Sequence, residues 1–178
     1  MIDLLHSSQC VLIFYSKAQH VWFMSEEQMA IFLMKIGKLK ESNCSVLSSV
    51  FEKRYLDKMK NLSGNKKNNR YAIINSKSWI KGVDSSIKYA KENNLSYDLI
   101  QSLEYDELLK TLSSYSGLIF FPKGKDTCPR IVIEAYLLGL KCITNENVQH
   151  KNEEWFQNRA DCLRYLETNA DRFWKFYE

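Results

Sequence analysis

Apolar residues along the chain fall into short runs divided by polar stretches, and the runs follow two periods. Residues 11–15 (VLIFY) and 21–24 (VWFM) are rich in β-branched and aromatic side chains and read as strands. Ser25 then precedes EEQMAIFLMKIG. Acids open its first turn, Met29, Phe32, Leu33 and Ile36 recur at helical spacing, and Gly37 supplies a stop, which together predict an amphipathic helix. Residues 44–51 give a weaker strand pattern and 52–62 a charged helix. After the polar stretch 63–70 the alternation becomes regular. Strands are expected at 71–74, around 99–100, at 118–121 and at 142–144; helices at 84–94, 105–115 and 129–138. Strands alternating with helices of about three turns imply βαβ units, hence an α/β, Rossmann-like parallel sheet with helices on both faces. The tail from 149 carries Phe156, Leu163, Leu166, Phe173 and Phe176, which predict two C-terminal helices docked on the body through Trp155 and Trp174.

In a sheet of this kind ligands bind outside the carboxyl ends of the strands, where loops lead into helix N-termini. Two loops there carry chemistry. NSKSWIKGVD, after the strand at 71–74, delivers Lys81 and Gly82 just ahead of a helix expected to be capped by Asp84. PKGKDTC, after the strand at 118–121, delivers Asp126 and a helix expected to begin with Pro129. Free amides at a helix N-terminus with a lysine alongside form a phosphate site, so the two loops point to a nucleoside diphosphate.

Glu134 is the second unusual feature. It stands within the otherwise apolar run 131–138, and a carboxylate taken out of water must be answered by a hydrogen-bond donor. Arg130, four residues earlier on the same helix, is one partner; a ligand offering two hydroxyls, such as a ribose, is another. The residues around the pair leave both readings open.

Composition narrows the classes without choosing among them. The chain of 178 residues is 45% hydrophobic and 26% charged, and no apolar run approaches the roughly 18 residues of a membrane span. With no signal-peptide pattern at the N-terminus, a soluble chain in the cytoplasm is expected. Five scattered cysteines and three histidines lack metal-ligand spacing, so neither a metal nor disulfides are expected. The net charge of +4 is mild. Its densest cluster, NKKNNR at 65–70, lacks interleaved aromatics, so it reads as a solvated loop with at most a weak pull on phosphates or lipid head groups, not a nucleic-acid surface.

From Arg70 to Asn147 the chain resembles the C-terminal, donor-binding domain of retaining glycosyltransferases with the two-domain GT-B fold, of the large family 4 kind. Two motifs carry the resemblance. Asp126-TCPRIVI-Glu134-Ala135, followed by Gly139 and the strand CIT, is similar to the family's acid pair separated by seven residues; NSKSWIKGVD is similar to its GRxxxxKGxD motif. The resemblance implies that Glu134 grips the ribose hydroxyls and that Asp126 faces the donor sugar. It implies phosphate contacts from the backbone of Thr127, Cys128, Pro129, Arg130 and Ile131, a Lys81 that neutralises the leaving diphosphate without a metal, and Leu103 near the base. The donor would be a UDP- or GDP-type sugar nucleotide, with no further cofactor, and the activity a metal-independent hexosyl transfer.

Two positions depart from the family pattern. Ser76 stands where the family has arginine, leaving Lys77 or Arg130 to replace that charge, and the first acid is Asp126 rather than glutamate. Family members also carry an N-terminal acceptor domain, of which residues 1–62 resemble only the closing strands and helix; residues 70–178 correspond to the nucleotide-sugar domain. The resemblance therefore leaves a donor-binding half that needs a missing N-terminal domain or a partner chain, or a non-catalytic nucleotide-binding or regulatory subunit with a degenerate fold.

Overall fold

The computed structural model describes residues 15, 17–35 and 40–176. The strand expected at 11–15 lies outside them except for Tyr15, which is helical, and Ile36 and Gly37 lie outside as well. Strands β1 (Val21–Phe23) and β2 (Cys44–Val46) pair in parallel around helix α1 (Glu26–Lys35). The Ser25 hydroxyl opens α1 by accepting from the Gln28 amide at 3.1 Å. Strand β2 is shorter than its apolar pattern. Beyond it the Ser48 amide donates to the Tyr165 hydroxyl at 3.2 Å, and the Ser49 carbonyl accepts from Asn169 Nδ2 at 2.6 Å. These side chains take over backbone groups that a longer ladder would have used.

Helix α2 (Lys53–Leu62) leads into the main sheet. There follow β3 (Tyr71–Ile74), α3 (Val83–Glu92), β4 (Tyr97–Ile100), α4 (Tyr105–Leu112), β5 (Gly117–Phe120), α5 (Arg130–Leu137) and β6 (Lys141–Thr144). The strands are all parallel and lie in the order β4-β3-β5-β6, with Tyr71 opposite both Tyr97 and Gly117. The chain thus leaves β3 in one direction to make β4, then returns past β3 to make β5. In open α/β sheets such a reversal, here at the carboxyl ends of β3 and β5, is where a ligand crevice forms.

Side chains alternate along these strands, as a pleat requires. Ala72, Leu118 and Phe120 face a large core with Leu56 of α2, Leu109 of α4, Val132 of α5 and, from the last helix, Leu166; Ile73 and Ile119 meet Ala90 of α3 on the other face. Helices therefore cover both faces, with α3 the one helix on the second face among the described residues. Helix α5 ends at Gly139 (φ +86), where the Leu140 amide reaches back to the Ala135 carbonyl at 2.9 Å.

Helix starts differ from expectation by one step. Helix α3 begins at Val83 with Gly82 at its N-cap, and Asp84 lies in its first turn beside Lys123 at 3.7 Å. Pro129 is the N-cap of α5, not its first residue. The tail forms two short 3-10 turns, Gln149–Asn152 and Glu154–Phe156, and one long helix, α6 (Arg159–Lys175), in place of two helices. Hydrogen bonds from Gln157 Nε2 to the Lys151 and Glu153 carbonyls close these turns, and Asn158 starts α6 by accepting from the Asp161 amide at 2.8 Å. Trp155 docks as expected, stacked on Tyr165 with ring centres 4.5 Å apart; Trp174 does not, and is 65% exposed.

The basic loop is not simply solvated. Lys67 Nζ donates to the Ser113 and Leu138 carbonyls, each at 2.7 Å, which closes the C-terminal ends of α4 and α5 together, and Arg70 forks onto Asp98. No helix among the described residues is long and apolar enough to cross a membrane.

Candidate functional site

Gly82 brings the first loop to the crevice. Its φ is +63°, and a Cβ there would lie 1.7 Å from the Phe121 carbonyl oxygen, so only glycine lets the loop after β3 press against the loop after β5. The contact is reinforced where the Lys123 amide donates to the Ile80 carbonyl at 2.8 Å and the Phe121 amide to the buried Ser86 hydroxyl at 3.1 Å. On this frame Lys81 Nζ reaches Asp126 Oδ2 at 2.8 Å. Charged residues from the two loop motifs, one from each and 45 positions apart in sequence, thus meet where the two loops converge.

Asp126 is held from behind. Its amide donates to the Asn147 carbonyl at 2.7 Å and its carbonyl accepts from the Gln149 amide at 3.1 Å, a parallel bridge that ties the loop to the turn after β6. Under the loop lies His150, fully buried, stacked on Trp155 and edge-on to Phe156. Neither of its ring nitrogens makes a hydrogen bond of good geometry among the described residues. Burial holds its pKa down at about 4, against the opposing pull of Asp126 and of the Thr127 backbone.

The N-terminus of α5 follows directly on the second loop. Pro129 has no amide proton to offer, and the amides of Cys128, Arg130 and Ile131 donate no hydrogen bond among the described residues. These are the groups an anion would use. The Cys128 thiol below them is buried, and burial pushes its pKa far up, so it stays a neutral packing group. Thr127 is half-buried, with its hydroxyl 3.9 Å from Met24 Sδ.

One turn into α5, Glu134 is 3% exposed. The Tyr105 hydroxyl donates to its Oε1 at 2.8 Å, and Arg130 Nε lies 3.7 Å from the same oxygen. Oε2 accepts no hydrogen bond from a described residue, and it is not among the fully buried polar atoms that lack a partner, so it keeps some access to solvent. Burial raises the pKa of Glu134, while Tyr105 and Arg130 hold it back, and burial together with the adjacent carboxylate raises the pKa of Tyr105, which therefore stays a donor. Around this carboxylate stand aromatic rings: the Arg130 guanidinium lies 4.3 Å over Phe51, and Tyr55 meets Tyr105 edge-on at 4.7 Å.

The structure therefore brings Lys81 to Asp126 at the start of the turn 127–131, while Glu134, one turn further along α5, meets Tyr105 and Arg130. Lys77 is exposed and pairs with no described residue; Ser76 is turned into its own loop, its hydroxyl accepting from the Ser78 amide at 3.2 Å. Leu103 is half-buried against the main core. Tyr105 and His150 escaped sequence reasoning. For Tyr105 a signal existed, since it begins the helix after β4 at the same carboxyl edge of the sheet; His150 sits in a non-periodic turn that offers none. Neither the pair nor Glu134 lines the cleft of about 400 Å³ that opens beside β6 between Tyr136, Lys151 and Gln157. No cluster of three metal-ligating side chains occurs among the described residues.

Neither the protein-family models nor the sequences of curated proteins contain a match to this chain. Its fold does match a solved structure, that of WaaG, a glycosyltransferase involved in lipopolysaccharide biosynthesis, with a TM-score of 0.51 over 85% of this chain and 54% of that one. The chain has a glycosyltransferase-like fold. At 11% identity the likeness extends to the α/β architecture and not to substrate, and the chain spans about half the length of WaaG.

Proposed function

We propose that the chain binds a nucleoside-diphosphate sugar in the crevice between the loops after β3 and β5 and acts as the donor-binding half of a retaining, metal-independent hexosyltransferase. The observation that carries the reading is the convergence of Lys81, Asp126 and the amides at the start of α5 that have no acceptor among the described residues, at the strand-order reversal. In this reading the α5 amides and Lys81 take the diphosphate, Asp126 turns to the sugar and Glu134 accepts from the ribose. An acceptor half comes from further sequence or from a partner chain. The glycosyltransferase-like fold supports the reading, since parallel sheets of this kind bind ligands at the carboxyl ends of their strands.

A second reading, a binding or regulatory subunit without turnover, is favoured by Ser76, which puts no charge where the family motif has an arginine. Titration calorimetry with UDP, GDP and ADP tests both. Binding of one of them, weakened about tenfold or more in Lys81→Ala as a charge-assisted contact worth roughly 1.5–3 kcal/mol is lost, is the expected result. Absence of binding by all three overturns both readings. Sugar transfer or donor hydrolysis with the matching sugar nucleotide separates the first from the second.

A further inference from the structure

We infer that the free edge of β6, with the cleft beside it, is a docking site for an extended segment of a partner protein in which acidic and apolar residues alternate, added to the sheet as a further strand. The strand order leaves two edges, β4 and β6. At β6 the Lys141 amide donates to the Ser116 carbonyl at 3.0 Å, so Lys141 and Ile143 turn their backbone groups toward β5, while Cys142 and Thr144 turn theirs off the sheet. No described residue bonds those outward groups. At β4 the Tyr71 amide donates to the Ser96 carbonyl, which makes Tyr97 and Leu99 the outward residues. There the Arg70 guanidinium donates to the Tyr97 carbonyl at 2.7 Å and forks onto Asp98, a charge set over the edge that blocks strand addition. One edge is guarded in this way and the other is left open.

The cleft of about 400 Å³ lies against these outward groups, with an apolar floor made by Val132 of α5, Leu140 just past its end and Phe156. Cys142 and Thr144 stand in register with Leu118 and Phe120 and share their face of the sheet, the cleft side; Lys141 and Ile143 take the other face. A strand laid along β6 alternates in the same way. Every second side chain enters the cleft and those between stand beside Lys141, so the first set is apolar and the second acidic. The charges agree with this pattern. Lys141 and Arg159 are exposed and pair with no described carboxylate, and Arg159 lies 6.0 Å over the Tyr136 ring at the cleft wall. Lys151 is held at 2.5 Å by Glu146, which is itself largely exposed. A second copy of the chain would set these cations against their own images, which selects against self-pairing.

Fluorescence anisotropy on the whole chain tests this with a labelled, end-blocked heptapeptide alternating glutamate and valine. The controls are a scrambled peptide of the same composition and one alternating lysine and valine. The wild type is expected to bind the glutamate-valine peptide about tenfold or more tighter than either control. Lys141→Glu, an exposed change, is expected to weaken that peptide about threefold or more and to tighten the lysine-valine peptide. Thr144→Pro removes an outward amide and no bond of the sheet, and is expected to weaken binding about threefold or more, the size of one backbone hydrogen bond. In NMR-detected hydrogen exchange, the peptide is expected to slow Cys142 and Thr144 more than Ile143, whose amide already bonds to β5. No binding of the glutamate-valine peptide, equal binding of all three, unchanged affinities in Lys141→Glu, or no added protection at Cys142 and Thr144 would each overturn the inference. A wild type that sediments as a dimer with Cys142 and Thr144 already protected assigns the edge to a second copy, and overturns it as well. Should Thr144→Pro not fold, Lys141→Glu and the exchange measurement decide the question. Nucleotide binding is measured separately, so the proposed function stands or falls apart from this result.

Discussion

An alanine at position 82 would have to satisfy two demands that only glycine meets. The left-handed backbone costs an L-residue about 1–2 kcal/mol, and a Cβ pressed into the Phe121 carbonyl adds an overpacking cost of about 1–3 kcal/mol. Gly82→Ala is therefore expected to lose on the order of 3 kcal/mol in urea denaturation. Gly64→Ala is the natural control, because a Cβ there meets nothing within 4 Å, and its midpoint should stay within the range of ordinary surface changes. Gly82 was legible in the sequence as part of the Lys-Gly motif. What the motif did not reveal is that the glycine serves loop-to-loop contact as much as the helix start.

At the scale of elements, a single ammonium closes two helices. Lys67 donates to the last carbonyls of α4 and α5, groups that helix geometry leaves without partners. Lys67→Met keeps the aliphatic stem and removes the cap. It is expected to cost about 2 kcal/mol, and hydrogen exchange should quicken in the last turns of α4 and α5 while α3, closed by its own backbone through the left-handed Asn94 just past its end, is unaffected. Strands and helices from 71 to 144 were readable because their apolar periods are clean and because Asp126, Glu134, Lys81 and Gly82 keep fixed spacing. Lys67 was not: a lysine among asparagines looks solvated until the helix ends that receive it are folded next to it. For the same reason the turns at 149–156 passed as helix, since their stability comes from Glu153, Gln157 and Trp155 meeting distant groups. Glu153, for example, accepts from the Glu26 amide at 2.9 Å.

For the whole molecule, the turn after β6 is where the start of α1 and the stretch after β2 meet the candidate site. Ser25 donates to Gln149 at 2.8 Å, Glu153 takes the Glu26 amide and the Ser48 hydroxyl, and Lys125 beside Asp126 pairs with Glu27 at 2.7 Å. At the centre lies His150, neutral in the folded chain. Its pKa of about 4 lies below the roughly 6.5 of an unfolded histidine, so the unfolded state takes up the proton first as pH falls. The stability it contributes is complete above about pH 6.5 and is lost as pH drops to about 4, an acid-side loss of roughly 3 kcal/mol. His150→Phe, which preserves the stack on Trp155, is expected to flatten the stability profile across that window, as read by denaturation at fixed temperature from pH 4 to 7.

The pairing of Lys81 with Asp126 has a consequence for which anions the site accepts in a cell full of them. A lone ammonium at a helix N-terminus would collect any stray phosphate; one already neutralised by its neighbour offers little to an anion that brings nothing for the carboxylate. A ligand gains most when it presents negative charge to the lysine and hydroxyls to the aspartate at once, so the pair works as a coincidence test, passed by a phosphate joined to a sugar. Asp126→Asn should disable that test: UDP without sugar is expected to bind about two- to fivefold tighter, the size of a half-exposed ion pair, while the added benefit of the sugar shrinks.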